Sequence, residues 1–117
     1  MGKLTTHVLD TSAGRPAAGV RIDLHDLDPL APKLLASVRT GADGRCAEPL
    51  LAGSALRAGR YAMMFHVGAY FRDRGMALPE PAFIEEALIH VGIAQPEQHY
   101  HVPLLITPWS YSVYRGG

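Results

Sequence analysis

The sequence predicts an all-β fold, an antiparallel β-sandwich, on three observations. Apolar and polar residues alternate in seven short segments, which is typical of strands that bury one face. Gly and Pro separate these segments at regular spacing, so the chain turns after each strand. Only residues 68–74 have the character of a helix, and that helix is short. Regularly spaced short strands of this kind favour a sandwich.

Each predicted strand depends on its own alternation. In the second strand, Val20, Ile22 and Leu24 alternate with polar neighbours, which indicates one buried face. The fourth strand carries its apolar face as far as Val67. The helix lies between two glycines that bound it on either side. The predicted strands lie at residues 4–9, 20–25, 34–40, 59–67, 87–93, 100–106 and 111–114.

Length and charge exclude several classes of protein. A chain of 117 residues is expected to form one domain, residues 1–117. Eleven basic residues balance eleven acidic ones, so no basic face is expected for nucleic acid or an anionic membrane. No apolar run reaches the ~18–20 residues of a membrane span. The single cysteine, Cys46, excludes an internal disulfide and favours a reducing compartment, the cytoplasm.

Small size and zero net charge also favour self-association. A chain of this length buries only ~60–70% of its unfolded surface, so an oligomer would help to stabilise it. Near-zero net charge removes the repulsion that keeps proteins apart. The C-terminal strand is apolar on one face, with Val102, Leu104 and Ile106 in alternation and Trp109 following. We therefore predict a homotetramer.

The clearest chemical motif is His99-Tyr100-His101. On a strand the two histidines lie on the same face. A His-x-His pair of this spacing can bind zinc, but a zinc site needs a third ligand, and no nearby carboxylate or Cys-x-x-Cys motif supplies one. The alternative is acid–base chemistry on water, because imidazole titrates near neutral pH. We expect no metal and no cofactor.

Two other positions combine a functional side chain with a scaffold that can aim it. His7 lies on the first strand, and Arg45 follows the Asp43-Gly44 turn directly. Each of them alone is compatible with an ordinary solvated residue. The remaining histidines, His25, His66 and His90, are interpreted as structural.

Four segments together resemble one family. They are residues 7–17, which begin His-Val-Leu-Asp-Thr, then Asp43-Gly44-Arg45, then the His-Tyr-His-Val-Pro-Leu-Leu run from His99, and the Tyr-Ser-Val-Tyr-Arg-Gly run from Tyr111. Their order and spacing resemble the 5-hydroxyisourate hydrolases, the transthyretin-like enzymes of urate breakdown. The resemblance covers nearly the whole chain.

The resemblance implies a fold, a reaction and an assembly. The fold is a transthyretin-like sandwich of about eight strands with one short helix, in a homotetramer with active sites in channels between dimers. The reaction is hydrolytic opening of the 5-hydroxyisourate ring at a cyclic amide bond, which gives 2-oxo-4-hydroxy-4-carboxy-5-ureidoimidazoline without a cofactor. The family's motif positions fall on His7, Arg45, His101, Tyr114 and Arg115, and the resemblance implies that the first four of these are catalytic. Arg115, Gly116 and His99 are the expected substrate contacts.

The residue types suit this reaction. Two histidines can activate water and protonate the leaving nitrogen, although the sequence leaves open which of them is the base. Arg45 or Arg115 can hold the electron-rich substrate with paired donors, and Tyr114 can donate a hydrogen bond. The alternative is a small-ligand carrier like transthyretin, which would not need these groups. One departure is Gly117, which stands where the family usually has Ser.

Overall fold

The computed structural model describes residues 1–30 and 32–117, which form nine strands, one α-helix and one short 3-10 turn. The 3-10 turn is Gly53–Ala55. In chain order the main elements are β1 (Lys3–Asp10), β2 (Arg15–Pro16), β3 (Arg21–Asp26), β4 (Lys33–Arg39), β5 (Leu51–Ala52), β6 (Gly59–Phe65), α1 (Val67–Asp73), β7 (Ala87–Ile93), β8 (His99–Ile106) and β9 (Tyr111–Val113).

The strands form two sheets, which confirms the predicted sandwich. The first sheet has the order β2-β1-β8-β9, with β5 also paired to β1, and the second has the order β4-β3-β6-β7. All pairings are antiparallel except that of β1 with β8, which is parallel over the full length of both strands. This pair departs from the predicted antiparallel arrangement, because the alternation of side chains does not reveal strand direction.

The core lies between the sheets and is built by the predicted alternation. Leu4 and Val8 of β1 are fully buried, as are Leu104 and Ile106 of β8. On the second sheet the fully buried side chains include Ile22, Leu24, Met63 and Phe65. Their neighbours along each strand point to the opposite, outer face. The outer face of the first sheet therefore carries the odd-numbered residues of β1 and β8.

Three details differ from the predicted elements. The strand predicted over residues 59–67 ends at Phe65, because the backbone turns at His66 and Val67 begins α1. The helix therefore covers Val67–Asp73 rather than residues 68–74. The two-residue strands β2 and β5 were not predicted, since two residues are too few to establish an alternation.

Two buried carboxylates connect the helix to the sheets. Asp10, at the end of β1, accepts a hydrogen bond from the Tyr70 hydroxyl at 2.9 Å. Burial first, and then this bond, raise the pKa of Tyr70 to about 12. On the outer face of the second sheet, Asp23 accepts a hydrogen bond from Nε2 of His66, the residue before α1, at 2.9 Å. These contacts fix α1 at one end of the sandwich.

The helical segments within residues 1–30 and 32–117 fall short of the length and apolar character that a membrane crossing requires.

Candidate active site

A cleft of about 460 Å³ lies on the outer face of the first sheet. The β1–β8 register creates it, because the parallel pairing places Lys3 opposite His99 and Thr5 opposite His101. The loop after β4 forms the opposite wall. The residues that line the cleft come from β1, from β8, from the loop after β4 and from the C-terminal segment. They are Lys3, Thr5, Thr6, Arg45, Cys46, Ala47, Glu48, Pro49, Leu50, His99, His101 and Gly117.

Both histidines of the His-x-His motif contact one hydroxyl. The Thr5 Oγ1 atom lies 2.8 Å from Nε2 of His99 and 2.8 Å from Nδ1 of His101. The two ring centroids are 6.1 Å apart. His99 is exposed, whereas His101 is half-buried. Because an imidazole has two nitrogens, the contact at Nδ1 leaves Nε2 of His101 for other partners.

The Asp43-Gly44 turn holds His7 and Arg45 beside each other. Their backbones form an antiparallel bridge. His7 donates from Nε2 to the Asp43 carbonyl at 2.8 Å, and the Arg45 amide donates to Asp43 Oδ1 at 3.0 Å. Gly44 has a φ of +79°, and a Cβ there would meet the Val8 carbonyl oxygen at 2.3 Å. Only glycine permits this approach of the turn to β1, which in turn sets the position of Arg45.

The environment of His101 favours its neutral form. Burial and then the nearby charges of Arg45, His99 and His7 lower the pKa of His101 below its ordinary value of 6.5. A lowered pKa means that the ring carries no proton on one nitrogen at neutral pH. His101 can therefore accept a proton from a polarised water molecule.

The C-terminal segment divides between this cleft and a second one. The Gly116 amide donates to the His101 carbonyl at 2.7 Å, so the tail runs antiparallel to β8, and Gly117 lines the first cleft. Tyr114 and Arg115 line the second cleft, of about 300 Å³, which lies between the edges of the two sheets. The Arg115 guanidinium lies 4.2 Å from the centre of the Tyr100 ring and donates to Gln98 at 3.0 Å.

The structure thus brings together most of the residues singled out in the sequence. His99, His101 and Arg45 line one cleft, with His7 and Gly116 in direct backbone contact with that group. Tyr114 and Arg115 do not line it in the single chain.

Sequence reasoning did not identify Thr5, Lys3 or Glu48 as cleft residues. The alternation placed Thr5 on the same face as His7, but its contact with two histidines depends on the parallel register. That register joins residues more than ninety positions apart, and no local pattern encodes it. Cys46 also lines the cleft, and burial followed by the charge of Asp43 raises the pKa of its thiol. The thiol therefore stays protonated at neutral pH and is a poor nucleophile.

The zinc alternative has no further ligand among the described side chains. No group of three or more His, Cys, Asp or Glu residues that could hold a metal ion occurs in residues 1–30 and 32–117. A stable zinc site needs at least three protein ligands. His99 and His101 instead share the Thr5 hydroxyl.

Comparisons with known proteins agree with the geometry. Residues 4–116 match the profile of the HIUase/Transthyretin family. A relative from Rhizobium meliloti named 5-hydroxyisourate hydrolase 2 is 51% identical, over 98% of this chain and 96% of its own. The structure of Klebsiella pneumoniae 5-hydroxyisourate hydrolase is 37% identical, with a TM-score of 0.83 over the full length of both chains.

A transthyretin of known structure is more distant in sequence. The structure of sea bream transthyretin in complex with thyroxine has a TM-score of 0.84 but is 27% identical, over 97% of this chain and 94% of that one. Fold similarity does not separate these proteins, whereas the relatives named 5-hydroxyisourate hydrolase are more similar in sequence. The chain therefore belongs to the HIUase/Transthyretin family and is a hydrolase within it.

Proposed function

We propose that this chain hydrolyses 5-hydroxyisourate at a cyclic amide bond of its six-membered ring. The product is 2-oxo-4-hydroxy-4-carboxy-5-ureidoimidazoline, and the reaction is a step in urate degradation. The observation that carries the proposal is the cleft in which a neutral His101 lies with His99 and Arg45. Relatives that carry the hydrolase name over nearly their full length support the choice of substrate.

The residues divide the reaction as follows. His101 takes a proton from water through Nε2 as the water attacks the amide carbon. The resulting imidazolium gives the proton to the leaving nitrogen, which completes the hydrolysis. Arg45 donates hydrogen bonds to the oxygen that becomes negative, an interaction worth ~3–4 kcal/mol when it is strongest in the transition state. His7 lies on the same outer face as His101, and its backbone bridge to Arg45 places it beside the cleft, where it is the proposed second catalytic histidine.

Tyr114 and Arg115 are proposed substrate contacts that depend on assembly. In one chain they lie at the second cleft, with Arg115 held by Tyr100 and Gln98. We propose a homotetramer in which the outer faces of two first sheets meet, so that a tail borders the cleft of another copy. Light scattering tests this: a mass near four times 12.6 kDa is expected, and a 12.6 kDa species at micromolar concentration contradicts it.

We propose that the reaction takes place in the cytoplasm, because a reducing compartment suits the free thiol of Cys46.

A spectrophotometric assay tests the reaction itself. Urate oxidase converts urate to fresh 5-hydroxyisourate, and the decay of that compound is followed with and without the protein. The protein should accelerate the decay well above the spontaneous rate, and the Arg45→Gln variant should lose most of the acceleration. Decay at the spontaneous rate in the presence of the folded protein would refute the proposal.

A further inference from the structure

The Thr5 hydroxyl occupies a position that no motif of the active site requires. Its oxygen lies at hydrogen-bond distance from Nε2 of His99 and Nδ1 of His101, at 2.8 Å each. A hydroxyl has one proton and accepts through its lone pairs, so it can donate to one ring while it accepts from the other. The side chain is half-buried, and the β1–β8 pairing holds its backbone directly opposite His101.

From this geometry, and resting on the hydrolysis proposed above, we infer that Thr5 is a proton relay that carries positive charge from His101 to His99. Before reaction the His101 Nδ1–H donates to Thr5 Oγ1, and the Thr5 O–H donates to Nε2 of His99. When Nε2 of His101 takes the proton from water, the Nδ1 proton moves to Oγ1 as the hydroxyl proton moves to His99. His101 is then neutral with a proton on Nε2, and His99 is the imidazolium.

The burial of the two rings favours this direction of transfer. His101 is half-buried next to Arg45, a setting that disfavours a positive charge. His99 is exposed, so water solvates its charge. Return of the two protons regenerates the His101 imidazolium, which gives its Nε2 proton to the leaving nitrogen. This step restores the starting tautomers, and no net proton is gained or lost. The other titratable or charged groups around the pair are Lys3, His7, Asp43, Arg45, Cys46 and Glu48.

His7 provides an internal contrast. Its Nε2 faces the Asp43 carbonyl at 2.8 Å, and a carbonyl only accepts hydrogen bonds. The tautomer of His7 is therefore fixed, whereas the hydroxyl allows either tautomer of His101. Of the two positions, only that of His101 has the partner that a relay requires.

Kinetics of Thr5 variants test the relay. Thr5→Val keeps the shape of the side chain but removes the hydroxyl, and we expect turnover to fall about 10- to 100-fold. Thr5→Ser restores the hydroxyl and should recover turnover to within a few-fold of the wild type. Thr11→Val is the matched control, because the Thr11 hydroxyl bonds the Ile106 carbonyl and contacts neither histidine. A proton inventory in mixed H2O and D2O should be curved for the wild type and linear for Thr5→Val.

A double-mutant cycle separates the relay from simple packing. His99→Asn removes the proton acceptor. The Thr5→Val and His99→Asn changes should therefore lower turnover by about the same factor, and the double variant should lose no more turnover than either single variant. If the turnover of the double variant falls by the product of the two single factors, the relay is overturned. Equal losses in Thr5→Val and Thr5→Ser, with an unchanged proton inventory, would reduce Thr5 to a packing role and also overturn it.

NMR of the substrate-free protein tests the relay independently of the proposed reaction. In the wild type the ring nitrogens of His99 and His101 should titrate as a coupled pair, and the Thr5→Val substitution should uncouple them. If the wild type does not accelerate 5-hydroxyisourate decay but this coupling is present, the proposed function fails and the hydrogen-bonded pair stands. Independent titration in the wild type would overturn the relay even if the enzyme is active.

Discussion

Two side-chain clusters that contain histidine lie on the outer faces of the two sheets, and they differ in the partner that holds the imidazole. On the first sheet, His99 and His101 contact the neutral hydroxyl of Thr5. On the second sheet, His66 contacts the buried carboxylate of Asp23. That carboxylate also accepts hydrogen bonds from the Ser37 hydroxyl at 2.6 Å and from Arg21 Nε at 3.1 Å.

The Asp23 carboxylate accepts hydrogen bonds from three side chains, whereas the Thr5 hydroxyl contacts only the two histidine rings. Burial alone would raise the pKa of Asp23, but the hydrogen bonds from Ser37, His66 and Arg21 outweigh it and lower the pKa to about 2. Each donor in that cluster therefore has a permanent negative partner and holds the structure at the start of α1. Burial and the charges of Arg45, His99 and His7 lower the pKa of His101, so its ring stays neutral. His66 thus has a structural role through its carboxylate partner, whereas His101, bound to a neutral hydroxyl, stays neutral and can accept a proton at Nε2.

The largest effect is expected from removing one histidine of each cluster. His101→Ala should lower turnover by ~10²–10⁴-fold, the range for a positioned acid or base, with little change in melting temperature. His66→Ala should leave turnover per folded molecule unchanged and lower the melting temperature by several degrees. The urate-oxidase-coupled assay and thermal unfolding on both variants measure this. Loss of turnover in His66→Ala at full folding would remove the distinction between the two clusters.

The next effect concerns the Asp23 carboxylate. Asp23→Asn loses the charge and leaves at least one of its three donors poorly satisfied, which should lower the free energy of unfolding by ~1–3 kcal/mol. Asp26→Asn is the matched control on the same strand, because its contact with the Asp28 amide needs only a carbonyl oxygen. Urea denaturation measures both. A stability loss of equal size in the two variants would mean that the cluster contributes nothing special.

A smaller effect is expected from the tail that borders His101. A Cβ on Gly116 would lie 2.7 Å from Cδ2 of the His101 ring, so Gly116→Ala must displace the ring or the tail. We expect turnover to fall about tenfold, because small misplacements of a reacting group are costly, with stability nearly unchanged. Gly92→Ala adds the same methyl group where nothing lies within 4 Å and serves as the control. Full turnover in Gly116→Ala would show that the tail does not position His101.

The smallest expected effect is a separation of two pH transitions. The folded pKa of Asp23 is depressed, so its stabilisation is complete above its ordinary value of 3.8 and is lost as the pH falls toward about 2. The pKa of His101 is also depressed, so activity should fall on acidification with a midpoint below 6.5. Circular dichroism and turnover between pH 7 and pH 3 should therefore show that activity falls while the protein is still folded. Unfolding that coincides with the loss of activity would contradict this.

Much of the fold could be predicted because it depends on local patterns. The alternation of Val20, Ile22 and Leu24 follows from burial of one face of a strand, and all three side chains are fully buried. The end of β6 is harder to predict from the sequence, because Val67 continues the apolar pattern although it is the first residue of the helix. An apolar residue at that point satisfies both a strand and a helix that packs on the core, so the pattern cannot distinguish them.

The sequence by itself determined the class of fold, the net charge of zero, and the identity of the chemical groups, because these depend on composition and on short-range periodicity. The tertiary structure decided which of those groups meet. The parallel register of β1 and β8 brings Thr5 to His99 and His101, and the close approach of Gly44 to Val8 brings Arg45 to His7. It also placed Arg115 against Tyr100 rather than in the cleft of its own chain. Contacts between distant strands depend on how two complete sheets pack, and no window of neighbouring residues contains that information.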